Sequence, residues 1–291
     1  MASGYNSSAT LQDSLPTVID SARIVREYEG VMTRLVDKTT LAPNTGLAWD
    51  EISLAALTAQ AVNESTSLMN PQQMADTLFS ITPTMVGIQT VITDKLRRRI
   101  SSNVAAKIGV LAQNAMQRKK DEDLLVVLDG ATTSLGGAGT TLTHGIISSA
   151  SVRIKSNTTE PAVTSMYFVG HGFQIKDLED ELKGGLGTYP TFGGLPEQVY
   201  RQGFHGSISG VEVFEDGNIS IDASDDAKGG VFAREAIVLV QGAAPHGETE
   251  RWPGYGGGAD VMYLYDEYGI GERSAGNWLF EVYTDALAPS S

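Results

Sequence analysis

The chain has 291 residues, 35 acidic against 21 basic side chains, a formal net charge of -14 and no cysteine. A disulfide framework, a cysteine-ligated zinc or iron–sulfur centre and a globally basic nucleic-acid binder are thereby excluded. Hydrophobic residues at 41% exclude wholesale disorder, the N-terminus MASGYNSSAT lacks the pattern of a secretory signal, and the longest aliphatic run, Leu124 to Leu128, is too short to span a bilayer.

Residues 1 to about 45 are mixed and polar, with Leu15, Val18, Ile19, Ala22, Val25 and Val31 spaced for a short helix plus an extension. A terminal segment of this kind is ordered only where it docks. Trp49 to Val62 supports two readings. Its Ala and Leu favour helix, while its passage into a polar tip at Asn63 to Gln73 favours the outgoing arm of a long two-armed excursion, which is the preferred reading. The return, Thr77 to Ile92, reads as strand: Val86, Ile88, Thr90 and Ile92 alternate, and Pro83 confines its start to an edge or bulge.

A long helix follows. Thr93 or Asp94 caps it, and Ile100, Val104, Ile108, Leu111 and Ala115 mark one face. Leu124, Leu125 and Leu128 resume the apolar pattern, and Gly130 ends it. Continuous from Arg97 to Asp129, it would reach roughly 50 Å. Gly109 in its interior costs about 1 kcal/mol against alanine, which predicts a close neighbour there. ATTSLGGAGTTLTHG after it reads as a connector and domain boundary. Strands are predicted at Thr164 to Val169, Ser207 to Glu215 and Val231 to Gln241, with a helix from Phe173 to Lys183 stopped by Gly184 and Gly185. Gly184 to Gly206 reads as an exposed loop. Two closing strands carry Val261, Tyr263 and Tyr265, and then Trp278, Phe280 and Val282, each set on one face. The sum is an α+β chain without internal repeats, dominated by one helix.

The charge is unevenly distributed. Lys95, Arg97, Arg98, Arg99, Lys107, Arg118, Lys119 and Lys120 give one segment +8 with no acid, while the remainder carries 13 basic against 35 acidic residues, or -22. That segment is either a solvated helix face or a face aimed at a polyanion or an acidic partner.

Catalytic and ligand motifs fail on inspection. His144, His171, His205 and His246 are scattered, each beside a glycine in a predicted loop. GSISG at Gly206 to Gly210 has Ile208 where a nucleophile elbow needs serine. The glycines from Gly254 to Gly258 precede a strand, so no helix N-terminus follows to receive a phosphate. Asp216, Asn218, Ser220 and Asp222 begin like a calcium loop, but Ile221 stands at the turn glycine and Ala227 at the last ligand. No metal, cofactor or catalytic constellation is expected, and the chain reads as structural rather than enzymatic.

Four stretches carry a family resemblance: ITPTMVGIQTVITDKL (Ile81 to Leu96), NAMQRKKDEDLLVVLDG (Asn114 to Gly130), FVGHGFQIKDLEDEL (Phe168 to Leu182), and GSISGVEVFEDGNI with GGVFAREAIVLVQ (Gly206 to Ile219 and Gly229 to Gln241). Their order resembles the major capsid proteins of tailed bacteriophages, with the Hong Kong 97 capsid fold. The resemblance implies an N-terminal arm (1–46), an extended loop (47–93), a peripheral domain with a spine helix (94–140), an axial domain (141–250) and closing peripheral strands (251–291). It implies a non-enzymatic subunit that assembles as hexamers and pentamers into an icosahedral shell around double-stranded DNA, in the virion after assembly in the host cytoplasm. Its partners would be further copies, the genome, a portal protein and a separate scaffolding or decoration protein, with no membrane. The eight basic residues become candidates for DNA or scaffold contacts. Trp49, Leu68, Met69, Pro71, Leu186, Tyr189 and Phe192 become candidates for inter-subunit contacts. Some members cross-link through a lysine in the extended loop; residues 39 to 94 contain no lysine, so no such link is expected. The short arm predicts no cleaved scaffolding segment. An encapsulin-like compartment shell and, from a different class, an acidic hydrolase or binding module built on the Gly-rich loops are the competing readings.

Overall fold

In the computed structural model the described residues are 28–59, 61–62, 64, 72–98, 103–185, 206–255, 257–274 and 276–289, with side chains omitted at 103–107 and 182–185. The predicted helix before residue 28 and most of the Gly184 to Gly206 loop lie outside them.

Chain order begins with a single helical turn, α1 (Met32–Leu35), and a short strand, β1 (Asp37–Thr40). The contested segment after them is strand: β2 (Trp49–Leu54) pairs antiparallel with β3 (Asp76–Ile81), from Trp49 opposite Ile81 to Leu54 opposite Asp76. No helix forms in 50–59, so the helical alternative is overturned there. Alanine and leucine favour helix only weakly, and pairing overrides them. The return breaks at Thr82 and Pro83 and resumes as β4 (Thr84–Thr93). β4 is an edge strand, the place a proline tolerates.

Thr93 makes the cap. Its Oγ1 accepts the backbone N–H of Leu96 (3.4 Å) at the start of α2 (Asp94–Arg97). The long helix proper is α3 (Asn103–Asp129), 27 residues and about 40 Å. Gly130 follows it without a left-handed φ, so the helix ends by plain chain departure. The predicted apolar face is only half right. Met116, Leu124, Leu125 and Leu128 are buried, whereas Val110 and Leu111 toward the other end are exposed.

The remaining elements are β5 (Ser134–Gly136), α4 (His144–Lys155), β6 (Met166–Gly170), α5 (Gly172–Gly185), β7 (Ser207–Ile208), β8 (Val211–Glu215), β9 (Asp226–Ala233), β10 (Ile237–Trp252), β11 (Ala259–Glu272) and β12 (Leu279–Asp285). Four readings are corrected here. The "connector" contains β5, and α4 starts at its end. Ser207 to Glu215 is a tight hairpin, turned at Ser209 and Gly210, both with positive φ. Val231 to Gln241 is two strands in different sheets, separated by a 3-10 turn at Arg234–Ala236. His246 lies inside β10 and His144 opens α4, so neither is a loop histidine.

Two sheets organise the chain. The six-stranded one runs β5-β12-β9-β6-β8-β7. Leu279, Phe280, Glu281 and Val282 are all buried, so both faces of β12 are covered. Helices α3 and α4 both pack on β9 and β12. Gly230 permits the close approach of α3, because a Cβ there would lie 3.1 Å from Leu128. This core, centred on Phe168, Phe232, Leu128, Ile147 and Leu279, is the largest apolar cluster. The four-stranded sheet runs β1-β10-β11-β4, with β10 and β11 as long antiparallel arms. Register shifts between Gln241 and His246 bend that ribbon.

Gly109 is another correction. A Cβ there would meet nothing within 4 Å, and the glycine borders a cavity of about 110 Å³ between α3 and the β4–β10–β11 ribbon. Gly109→Ala is therefore expected to stabilise the isolated chain by about 1 kcal/mol, checked by chemical denaturation. If assembly falls in the same variant, another subunit supplies the neighbour that the single chain lacks.

Candidate assembly surfaces

The β2–β3 hairpin departs from the body with apolar side chains on display. Ile52 and Leu78 face each other across the strands, each 62% exposed, and Leu54, Leu57 and Met74 on the same excursion are exposed as well. A two-stranded hairpin has too little buried surface to be stable alone. An apolar patch of this kind on a folded chain marks a surface that another molecule covers. Among the described residues the root carries the anchoring contacts. Trp49 packs edge-on against Phe79 at 6.3 Å between ring centroids, and the Arg273 guanidinium lies 6.0 Å from the Trp49 ring. Arg273 also pairs with Glu51 and Asp37 (2.8 Å each) and donates to the Glu235 carbonyl. One guanidinium thus ties β1, β2 and the start of β10 together. Trp49, a candidate contact, serves at least in part as this anchor. The other six candidates, Leu68, Met69, Pro71, Leu186, Tyr189 and Phe192, lie outside the described residues.

The basic segment separates into two groups. Arg97 pairs with Asp260, Arg118 with Glu122 and Lys119 with Asp123, all on exposed surface. Lys120 is different. Its side chain is 14% exposed, its Nζ sits 2.7 Å from the buried Asp266, and it reaches Gln241 Oε1 at 3.1 Å and the face of Tyr268. Gln241 in turn donates to Asp266 and to the Glu267 carbonyl. Lys120 therefore pins α3 to the ribbon. Lys95 is exposed and makes no ion pair among the described residues, and Arg98 is exposed with its charge acting on the nearby Asp94. Arg99 and the side chain of Lys107 lie outside the description. Four of the eight cations read along the sequence are thus paired with acids in space.

Beside α2, Arg251 bridges Asp94 (2.6 Å) and Asp260 (2.9 Å). Its hydrogen bonds hold both carboxyls below the usual range. Arg97, Arg98 and Arg251 with these two acids line an open depression of about 510 Å³.

Sequence reasoning missed the apolar hairpin side chains and Arg273. The signal for the former was present: five large apolar residues, Ile52, Leu54, Leu57, Met74 and Leu78, in a stretch with no basic residue at all. Nothing local marks Arg273, whose two carboxylate partners are more than 200 positions away.

The suspected calcium loop is used otherwise. Asp216 is buried and accepts the N–H groups of Val31 (3.0 Å) and Asn218 (2.9 Å), while Asp222 accepts those of Ser224 and Asp226. Among the described residues no three His, Asp or Glu side chains converge as metal ligands, and no helix is long and apolar enough to cross a membrane.

No family model matches the chain, and no curated protein sequence does. Solved structures match over nearly its whole length. The capsid of the cyanophage P-SCSP1u aligns at a TM-score of 0.72 and 13% identity, covering 96% of this chain and 95% of that one. A chain of Mycobacterium phage Che8 gives 0.72 and 15%, over 90% and 93%. The acid-stable capsid of the Helicobacter pylori bacteriophage KHP30 gives 0.70 and 10%, over 99% and 100%. The likeness fixes the fold: this is an α+β chain with the Hong Kong 97-type capsid architecture.

Proposed function

We propose that the chain is a major capsid protein, a non-enzymatic subunit that closes into an icosahedral shell around the double-stranded DNA of a tailed phage. The observation that carries this reading is the capsid fold, matched over 99% of this chain, combined with a hairpin whose apolar side chains are exposed among the described residues. Residues 1–46 act as the arm, 47–93 as the extended loop laid over an adjacent copy, and 94–140 with 251–291 as the peripheral domain. Residues 141–250 then form the axial domain at the centres of hexamers and pentamers. The β10–β11 ribbon joins the last two units, since β10 runs through residue 250. Portal and scaffolding or decoration proteins complete the partner set, and the shell forms in the host cytoplasm. Lys95, exposed and in no ion pair among the described residues, and Arg98, exposed beside Asp94, are the cations best placed to meet a polyanion; Lys120 is spent inside the molecule.

The test is composition. Quantitative mass spectrometry of purified DNA-filled particles is expected to find this chain as the most abundant protein. Its absence, or a trace amount, overturns the proposal. Charge reversal of Lys95 and Arg98 together is expected to leave shells closed while lowering packaged DNA, measured by particle density. Unchanged DNA content would remove these two residues from the genome-facing set.

A further inference from the structure

The chain just before α1 crosses two buried carboxylates. Asp121 on α3 is 1% exposed and Asp216 after β8 is fully buried. Asp121 Oδ1 accepts the Met32 N–H (3.0 Å) and its Oδ2 accepts from Asn218 Nδ2 (2.9 Å). Asp216 Oδ2 accepts the Val31 N–H (3.0 Å). Gly30 fits only because it lacks a side chain: a Cβ there would lie 1.9 Å from Asp121 Cγ. Tyr28 closes the contact, its hydroxyl donating to the Glu215 carbonyl (2.8 Å) and its ring lying over Gly217. The segment entering the body is thus held through backbone N–H groups on a pair of acids in addition to the buried side chains of Val31, Met32, Leu35 and Val36.

We propose that Asp121, buried beside Asp216, is a proton-controlled latch on residues 28–36, closed when its carboxyl is protonated and loosened when it is ionised. The surrounding charges support it. Asp121, Asp216, Glu215 and Tyr28 face the contact, His171 lies beside Glu215 and Asp216, and no Lys or Arg is paired to either carboxylate among the described residues. Two buried carboxylates without a cation cannot both ionise cheaply. Burial first, then the Asp216 charge, push the Asp121 carboxyl up to about 6 against the hydrogen bonds from Asn218 and Met32. The sign follows. A carboxyl raised in the closed state binds more protons closed than open, so closure weakens as pH rises from the ordinary carboxylate range through about 6. The latch does not depend on what the arm reaches, so its failure and that of the capsid reading are separable.

Hydrogen exchange on the full-length chain tests it. After correction for intrinsic exchange, protection of residues 28–36 is expected to fall about tenfold between pH 5 and pH 8, while that of β6 in the core stays constant. Asp121→Asn, which keeps an acceptor and mimics the protonated acid, is expected to flatten the profile. A flat wild-type profile contradicts the latch whether or not the variant folds. A slope that survives in Asp121→Asn but disappears in His171→Gln would assign the effect to the imidazole and also overturn it.

Discussion

Lys120→Met is expected to lose about 3–5 kcal/mol of folding stability, the cost of leaving a buried carboxylate without its cation. Asp266 is 2% exposed and has Lys120 as its only cationic partner among the described residues. Methionine fills much of the lysine stem, so the loss reads the charge rather than a cavity. Gln241 keeps one hydrogen bond to Asp266, which softens the penalty without replacing the charge. The double variant Lys120→Met, Asp266→Leu removes both charges and is expected to recover most of the loss. Urea denaturation of the unassembled chain checks both. A Lys120→Met loss below about 1 kcal/mol would place the residue with ordinary surface ion pairs.

Ile52→Asp together with Leu78→Asp is expected to abolish shell formation while leaving the fold intact. The two residues face each other across β2 and β3, and neither contributes to the core. Substitutions at such exposed positions shift stability by about 0.5 kcal/mol or less. In an interface the same pair would bury two unpaired carboxylates per copy, at several kcal/mol each. A lattice repeating that contact in every subunit multiplies the cost. Unchanged circular dichroism and melting with loss of particles in electron micrographs is the expected pattern. Normal particles would show that this part of the hairpin is not covered.

Much of the fold was legible because local and tertiary preferences agree. Thr93 caps, Leu124, Leu125 and Leu128 bury one stripe, and the alternating Val86, Ile88, Thr90 and Ile92 form an edge strand. What sequence reading missed is non-local. The α4 stripe of Ile147, Ala150, Ser151 and Ile154 is interrupted by serines and follows a glycine-rich run, so its period is faint. The break between β9 and β10 shows no turn residue, because Arg234–Ala236 turns without glycine or proline. β1 is four residues long and is strand only by pairing in parallel with β10. The basic segment misled for the same reason. The i,i+4 pairs Arg118–Glu122 and Lys119–Asp123 are readable along the chain, whereas Asp260 and Asp266, the partners of Arg97 and Lys120, lie far downstream and return to the segment in space. The initial contrast of +8 against -22 thus counts as free at least four cations that the fold pairs.

The central claim is that this chain is the repeating unit of a shell. Light scattering coupled to size exclusion of the purified full-length chain tests it most directly, with a scaffolding protein from the same source added if one is needed. The account predicts a homogeneous multi-megadalton particle with a hollow profile. A species that stays at the 30.9 kDa of one chain at every concentration, with and without that partner, would contradict it.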